Sequence, residues 1–253
     1  MKKLTAAEEL LCSLGVTEPK DIDLEAIAFH VNATVRYRPL DGCEARIVGT
    51  NTKAIITVKE DSHPRRKRFS IAHELGHWHH HRGKCLVCRA EDFAPRRLAS
   101  PEQTADRFAA DLLLPNYLFR PLALSQNRLD FPSIRHLADE FDVSITATAI
   151  RMVETDLAPL MLICHTKQGR KWFARSRSVP EHWFPQEQLD SESYAFDVQF
   201  GTGPEPRMPH KIGADAWFDR GGADRYELQE QTARVGQGET LTLLTFTDSS
   251  MLS

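Results

Sequence analysis

The run His73-Glu74-Leu75-Gly76-His77 sets two imidazoles four residues apart, with a carboxylate between them. In a helix, four residues make just over one turn, so both rings leave the same face and can grip one ion. The carboxylate, one residue after the first histidine, can take a proton from an attacking water without binding the ion itself. An HExxH run inside a helical pattern thus predicts a catalytic Zn2+ site: His73 and His77 as ligands, Glu74 as general base, and hydrolysis, most simply of a peptide bond, as the reaction. Such a site takes three protein ligands, so one more must come from elsewhere. Glu102 and Asp106 stand one helical turn apart further along the chain. Their spacing points to Glu102 as third ligand and Asp106 as the carboxylate that holds a histidine by its other ring nitrogen. The helix dipole alone also favours an acidic residue in a first turn, and Asp92, Thr104 and Asp111 are rivals for the third position.

Two helices must carry these groups. One begins near Pro64 and ends before Gly83, with Phe69, Ala72 and Gly76 on one apolar face and Ile71, Leu75 and Trp78 on another. A helix apolar on two sides is expected to be buried. The second has Ser100 as N-cap, Pro101 at its first position, Gln103 closing a capping box and Pro115 as its stop. Upstream, 23–31 reads as a short helix, and 34–37 and 54–58 as strands with a turn at Leu40-Asp41-Gly42 between them. Residues 132–154 read as two helices with a helix-turn-helix rhythm around Asp142-Val143-Ser144. The second of these carries only Arg151 as a cation, which predicts packing rather than groove reading. After Pro159 the pattern turns to strands, at 160–164, 172–174, 195–200, 216–218 and 240–247.

With 41% hydrophobic residues in 253, the chain can bury a substantial core. Its net charge of -3 argues against non-specific duplex binding over the whole surface. No apolar run reaches the length of a membrane span. The N-terminal stretch has acidic residues where a signal peptide would be apolar, and reads as an amphipathic helix. Five cysteines, irregularly spaced, predict reduced thiols in a cytoplasm. Local cationic groups occur at 65–68, at Arg89, Arg96 and Arg97, and at Lys167, Arg170, Lys171, Arg175 and Arg177. In the last group Trp172 and Phe173 offer stacking to a nucleic-acid single strand; an ordinary solvated face is the alternative. Cys85 and Cys88 follow the motif closely. They read as small loop residues, as half of a structural zinc site, or as a thiolate able to occupy the metal's open position and block the reaction.

Arg68 to His77 (RFSIAHELGH) and Glu102 to Pro115 (EQTADRFAADLLLP) together resemble the ImmA/IrrE family of bacterial metallopeptidases over about residues 20 to 120. The resemblance implies an α+β chain. A zincin-like metallopeptidase domain (1–125) would be followed by a helical, helix-turn-helix-like segment packed on it (126–157) and a small mixed α/β GAF-like sensory domain (158–253). It implies a zinc endopeptidase that cleaves a helix-turn-helix repressor in response to stress or DNA damage. His73, His77 and Glu102 would be ligands and Glu74 the base. A strand before the active-site helix would pair with the extended substrate, and Ala54, Ile55, Ile56, Thr57 and Val58 match that position. The architecture also resembles the CapP-type subgroup associated with anti-phage CBASS systems. That likeness implies a cysteine switch on zinc, here Cys88 or alternatively Cys85, and single-stranded DNA as activator. A non-catalytic DNA-binding or sensor regulator with a structural metal is the competing reading.

Overall fold

Thr5 starts the first helix, α1 (Ala6–Ser13), through a capping box: its hydroxyl accepts from the Glu8 amide, and a Glu8 carboxylate oxygen accepts from the Thr5 amide. Asp23 caps α2 (Leu24–His30), its carboxylate accepting from the amides of Glu25 and Ala26. Three strands follow, β1 (Ala33–Arg38), β2 (Ala45–Gly49) and β3 (Ala54–Lys59), then α3 (Pro64–His80), α4 (Pro101–Leu113) and α5 (Asn116–Leu124). The computed structural model describes residues 3–80, 100–201, 204–236 and 238–253. It divides into Met1–Phe119 with Glu140–Val143, and Arg120–Asp139 with Ser144–Ser253.

In the first unit the sheet order is β1-β3-β2, with β1 parallel and β2 antiparallel to β3. Ala54, Ile56 and Val58 turn into the core, where α3 packs against the sheet. The sequence reading missed β2, whose short ARIVG run shows little hydrophobic alternation. Its presence corrects the expectation for 54–58. Ala54, Ile55, Ile56, Thr57 and Val58 are registered against 33–37 on one side and 45–49 on the other, so their main-chain groups are already taken. A substrate strand cannot pair there. The edges of this sheet are β1 and β2. Along β2, the Thr50 amide donates to Lys53 and Glu44 accepts from Lys59, so the even-numbered residues face β3. By the alternation of an antiparallel ladder, Ala45, Ile47 and Gly49 direct their N–H and C=O groups outward.

Two close contacts hold α3. At Gly76, a Cβ would lie 2.8 Å from Ala105 Cα and 2.9 Å from the Ala105 carbonyl oxygen, so only glycine lets α3 and α4 approach this far. At its start, Arg65 and Arg68 both reach Asp142 (3.2 and 3.5 Å), and the Lys67 ammonium sits 5.6 Å from the Tyr37 ring centre. Most of the 65–68 charge run is thus engaged within the unit. The predicted capping box of α4 forms as expected, Ser100 Oγ accepting from Gln103 N and Gln103 Oε1 from Ser100 N.

The second unit holds α6 (Phe131–Glu140), α7 (Ile145–Glu154), β4 (Leu160–Thr166), β5 (Gly169–Arg175), α8 (Tyr194–Phe200), β6 (His210–Gly213), β7 (Glu227–Gly236) and β8 (Glu239–Phe246). Its antiparallel sheet runs β5-β4-β8-β7-β6. The chain is thus α+β, as expected, with a largely β C-terminal part. Helix α7 packs on β4 and β5 and buries Arg151, its one cation, leaving no basic face for a DNA groove. Two expected strands are corrected. Residues 195–200 form α8, capped by Ser193, with Ala195, Val198 and Gln199 buried at helical spacing; 216–218 close a short 3-10 turn. Strand β7 went unforeseen because its sequence, ELQEQTARVG, is polar. Its buried Glu230 is satisfied by the Ala195 amide and the Trp217 indole, and its buried Gln231 by the Phe131 amide.

On β4, His165 is wholly buried, and neither ring nitrogen has a hydrogen-bond partner among the described residues. Burial, helped by the Arg170 charge, pushes its pKa down to about 4. Below about pH 6.5 the unfolded chain binds this proton while the folded chain refuses it. Stability is therefore full above pH 6.5 and falls as pH drops toward 4, by about 3 kcal/mol for this group. Urea unfolding across that window is expected to show the slope, and His165→Leu to reduce it. An unchanged slope in the variant would remove His165 as its source.

Candidate metal centre

Helix α3 presents His73 and His77 from one face, and α4 presents Glu102 from its first turn. The His73 Nε2 to His77 Nε2 distance is 3.0 Å, and Glu102 Oε2 lies 3.1 Å from the first and 3.3 Å from the second. Three donor atoms from two helices thus converge on one point. A tetrahedral ion with ligand lengths of about 2.0–2.1 Å separates its donors by roughly 3.3 Å, close to this spacing. The two-nitrogen, one-carboxylate set fits zinc better than calcium or magnesium, which prefer oxygen.

Asp106 lies 2.8 Å from His73 Nδ1. A carboxylate there accepts a hydrogen bond from Nδ1–H, keeps the proton on that nitrogen and leaves Nε2 with its lone pair aimed at the cluster, the arrangement that orients a metal-binding imidazole. The centre attracts positive charge. Burial opposes protonation of His73, but the Asp106 hydrogen bond and the charges of Asp106, Glu74 and Glu102 outweigh it and raise the pKa. Glu74 is 2% exposed, and its Oε2 is buried without a hydrogen-bond partner among the described residues. Burial pushes its carboxyl up to about 7, against the pull of His73 and with an added push from Glu102. A bound cation would bring it down again.

The structure thus gathers His73, Glu74, His77, Glu102 and Asp106; Asp111 stands outside the donor cluster. Asp92, His81, Cys85 and Cys88 lie outside the described residues. The Tyr117 hydroxyl donates to the Val16 carbonyl at 2.9 Å. The His79 and His80 rings pack on Phe108 at 5.1 and 5.7 Å. The free edge of β2 is the feature beside α3 that sequence reasoning missed. Its only signal was a short run between two turns.

An HExxH helix backed by a carboxylate-bearing helix, beside a small sheet, defines a zincin-like metallopeptidase domain. Residues 29–153 match the IrrE N-terminal-like domain, Peptidase_M78, so the chain carries a domain of the ImmA/IrrE family of metallopeptidases. No curated protein matches it in sequence. A solved structure described as a Mycobacterium tuberculosis transcriptional regulator is similar at a TM-score of 0.61 and 17% identity, over 98% of this chain and 76% of that one. At that identity the likeness is one of fold. No helix among the described residues is long and apolar enough to cross a membrane.

Proposed function

We propose that this protein is a zinc-dependent endopeptidase whose substrate is a helix-turn-helix repressor. The observation that carries the proposal is the convergence of His73 Nε2, His77 Nε2 and Glu102 Oε2 beside the buried, unpartnered Glu74 oxygen. Zinc held by these three residues would act as a Lewis acid and lower the pKa of a coordinated water. Glu74 takes the proton of the attacking water on Oε2 and returns it to the leaving amine. Asp106 holds His73 in the tautomer that leaves Nε2 free for the ion. The substrate lies extended along the outer edge of β2, paired with the main chain of Ala45, Ile47 and Gly49, because of the two edge strands β2 packs more extensively on α3.

In this reading the C-terminal unit is a GAF-like sensory domain that receives a stress or DNA-damage signal. Single-stranded DNA as activator and cysteine control through Cys88 or Cys85 follow from the resemblance to the CapP-type subgroup. Among the cations noted for such a strand, Lys171 and Arg175 are paired with Glu239 and Glu181, while Arg170 stacks on Phe173 and Phe184. The solved relative's description as a transcriptional regulator fits a role acting on transcription. The burial of Arg151 weighs against the competing reading, direct duplex binding through α7.

The test is to mix the zinc-loaded protein with any helix-turn-helix protein encoded beside its gene, or with a panel of such repressors, and to follow cleavage by mass spectrometry. One discrete cut, abolished by a chelator and restored by zinc, is expected. Stoichiometric zinc with an intact partner, under every activating condition tried, would favour the regulator reading.

A further inference from the structure

Arg66, Phe69, His73 and His77 form one stripe on α3. Arg66 precedes His73 by seven residues, which is two helical turns to within about 20°. The half-buried Phe69 ring lies 6.1 Å from the His73 ring, and the Arg66 guanidinium sits 5.6 Å from the Phe69 ring centre. The face that carries the metal ligands therefore continues toward the start of α3 as an aromatic ring followed by a cation.

Arg66 differs from its charged neighbours. Arg65 and Arg68 are held by Asp142. Arg66 has Glu44 at 4.0 Å, beyond hydrogen-bond reach, and its side chain is 56% exposed. Glu44 is already engaged with the Ser62 hydroxyl at 2.6 Å. Because Glu44 immediately precedes β2, this contact places Arg66 beside the first residue of the free edge. Along α3, Phe69 is about 6 Å and Arg66 about 10.5 Å from His73 at about 1.5 Å of rise per residue. A strand advances about 3.3 Å per residue. An extended peptide on β2 would therefore meet Phe69 roughly two residues, and Arg66 roughly three, from the bond held at the metal ligands.

We propose that Phe69 and Arg66 determine substrate specificity, taking an apolar side chain near the scissile bond and an acidic side chain about three residues from it. The inference rests on the peptidase reading above. The probes are two labelled peptides, apolar at the centre and identical except for glutamate or lysine about three residues to each side. The zinc-loaded protein is expected to bind the acidic peptide more tightly by anisotropy, and to cut it faster, by about fivefold, the size of an exposed charge contact. Arg66→Glu should reverse the order, with zinc content unchanged. Phe69→Ala should weaken both peptides and leave the charge preference. No preference in the wild type, or the same preference in Arg66→Glu, would overturn the proposal. Discrimination in binding without any cleavage would sustain Arg66 and count against the peptidase reading.

Discussion

Glu74→Gln is expected to lower cleavage of the protein substrate by roughly a thousandfold or more while one zinc per chain is retained. Glutamine keeps the size and shape of the side chain but cannot accept the proton. The side chain is 2% exposed and its Oε2 has no hydrogen-bond partner among the described residues, so the oxygen is free to take a proton. His73, His77 and Glu102, which form the donor cluster, are untouched by the change. Metal analysis and a cleavage time course on the same preparation separate the two outcomes. Residual cleavage within tenfold of wild type would remove Glu74 as the base. Loss of zinc would mean that the side chain supports the ligands rather than the proton transfer.

Gly76→Ala is expected to destabilise the first unit and to weaken zinc binding together. Helix propensity alone predicts a gain of about 1 kcal/mol for this change. The contact predicts the opposite sign. The new Cβ would lie 2.8 Å from Ala105 Cα and 2.9 Å from its carbonyl oxygen, and neither is the movable end of a side chain. Helices α3 and α4 would have to separate, at a cost of about 1–3 kcal/mol or more. Ala105 lies one residue before Asp106 and three after Glu102, so the same displacement pulls the third ligand away from His77, the residue next to Gly76. Lower stability in urea and loss of zinc are expected together. A more stable Gly76→Ala that still binds zinc would show that the helices are free to part here.

Much of the site could be read before any coordinates. Histidines four apart on a helix must share a face, because the helix repeat requires it. The Ser100, Pro101 and Gln103 signals placed the start of α4, and hence Glu102 in its first turn, because capping is a local interaction of a few neighbouring residues. The pairing of strands was not local. Both 45–49 and 54–59 are short runs, and a side-chain alternation of two does not say which has neighbours on both sides. Helix α8 was mistaken for a strand because seven residues rich in aromatic and branched side chains satisfy either period. Strand β7 was hidden because burial of Glu230 and Gln231 is tolerated only through partners distant in sequence, Ala195, Trp217 and Phe131.

By itself, the amino-acid sequence determined the ligand types, their helical spacing and the family resemblance. Tertiary structure alone decided that Glu102 reaches both histidines, that Gly76 must lack a side chain to let it do so, and that β3 lies between β1 and β2 with no free edge. The reason is physical. Ligand chemistry and helix phase belong to single residues and their near neighbours. An edge, a close approach and a converging set of donor atoms exist only once separate segments have packed.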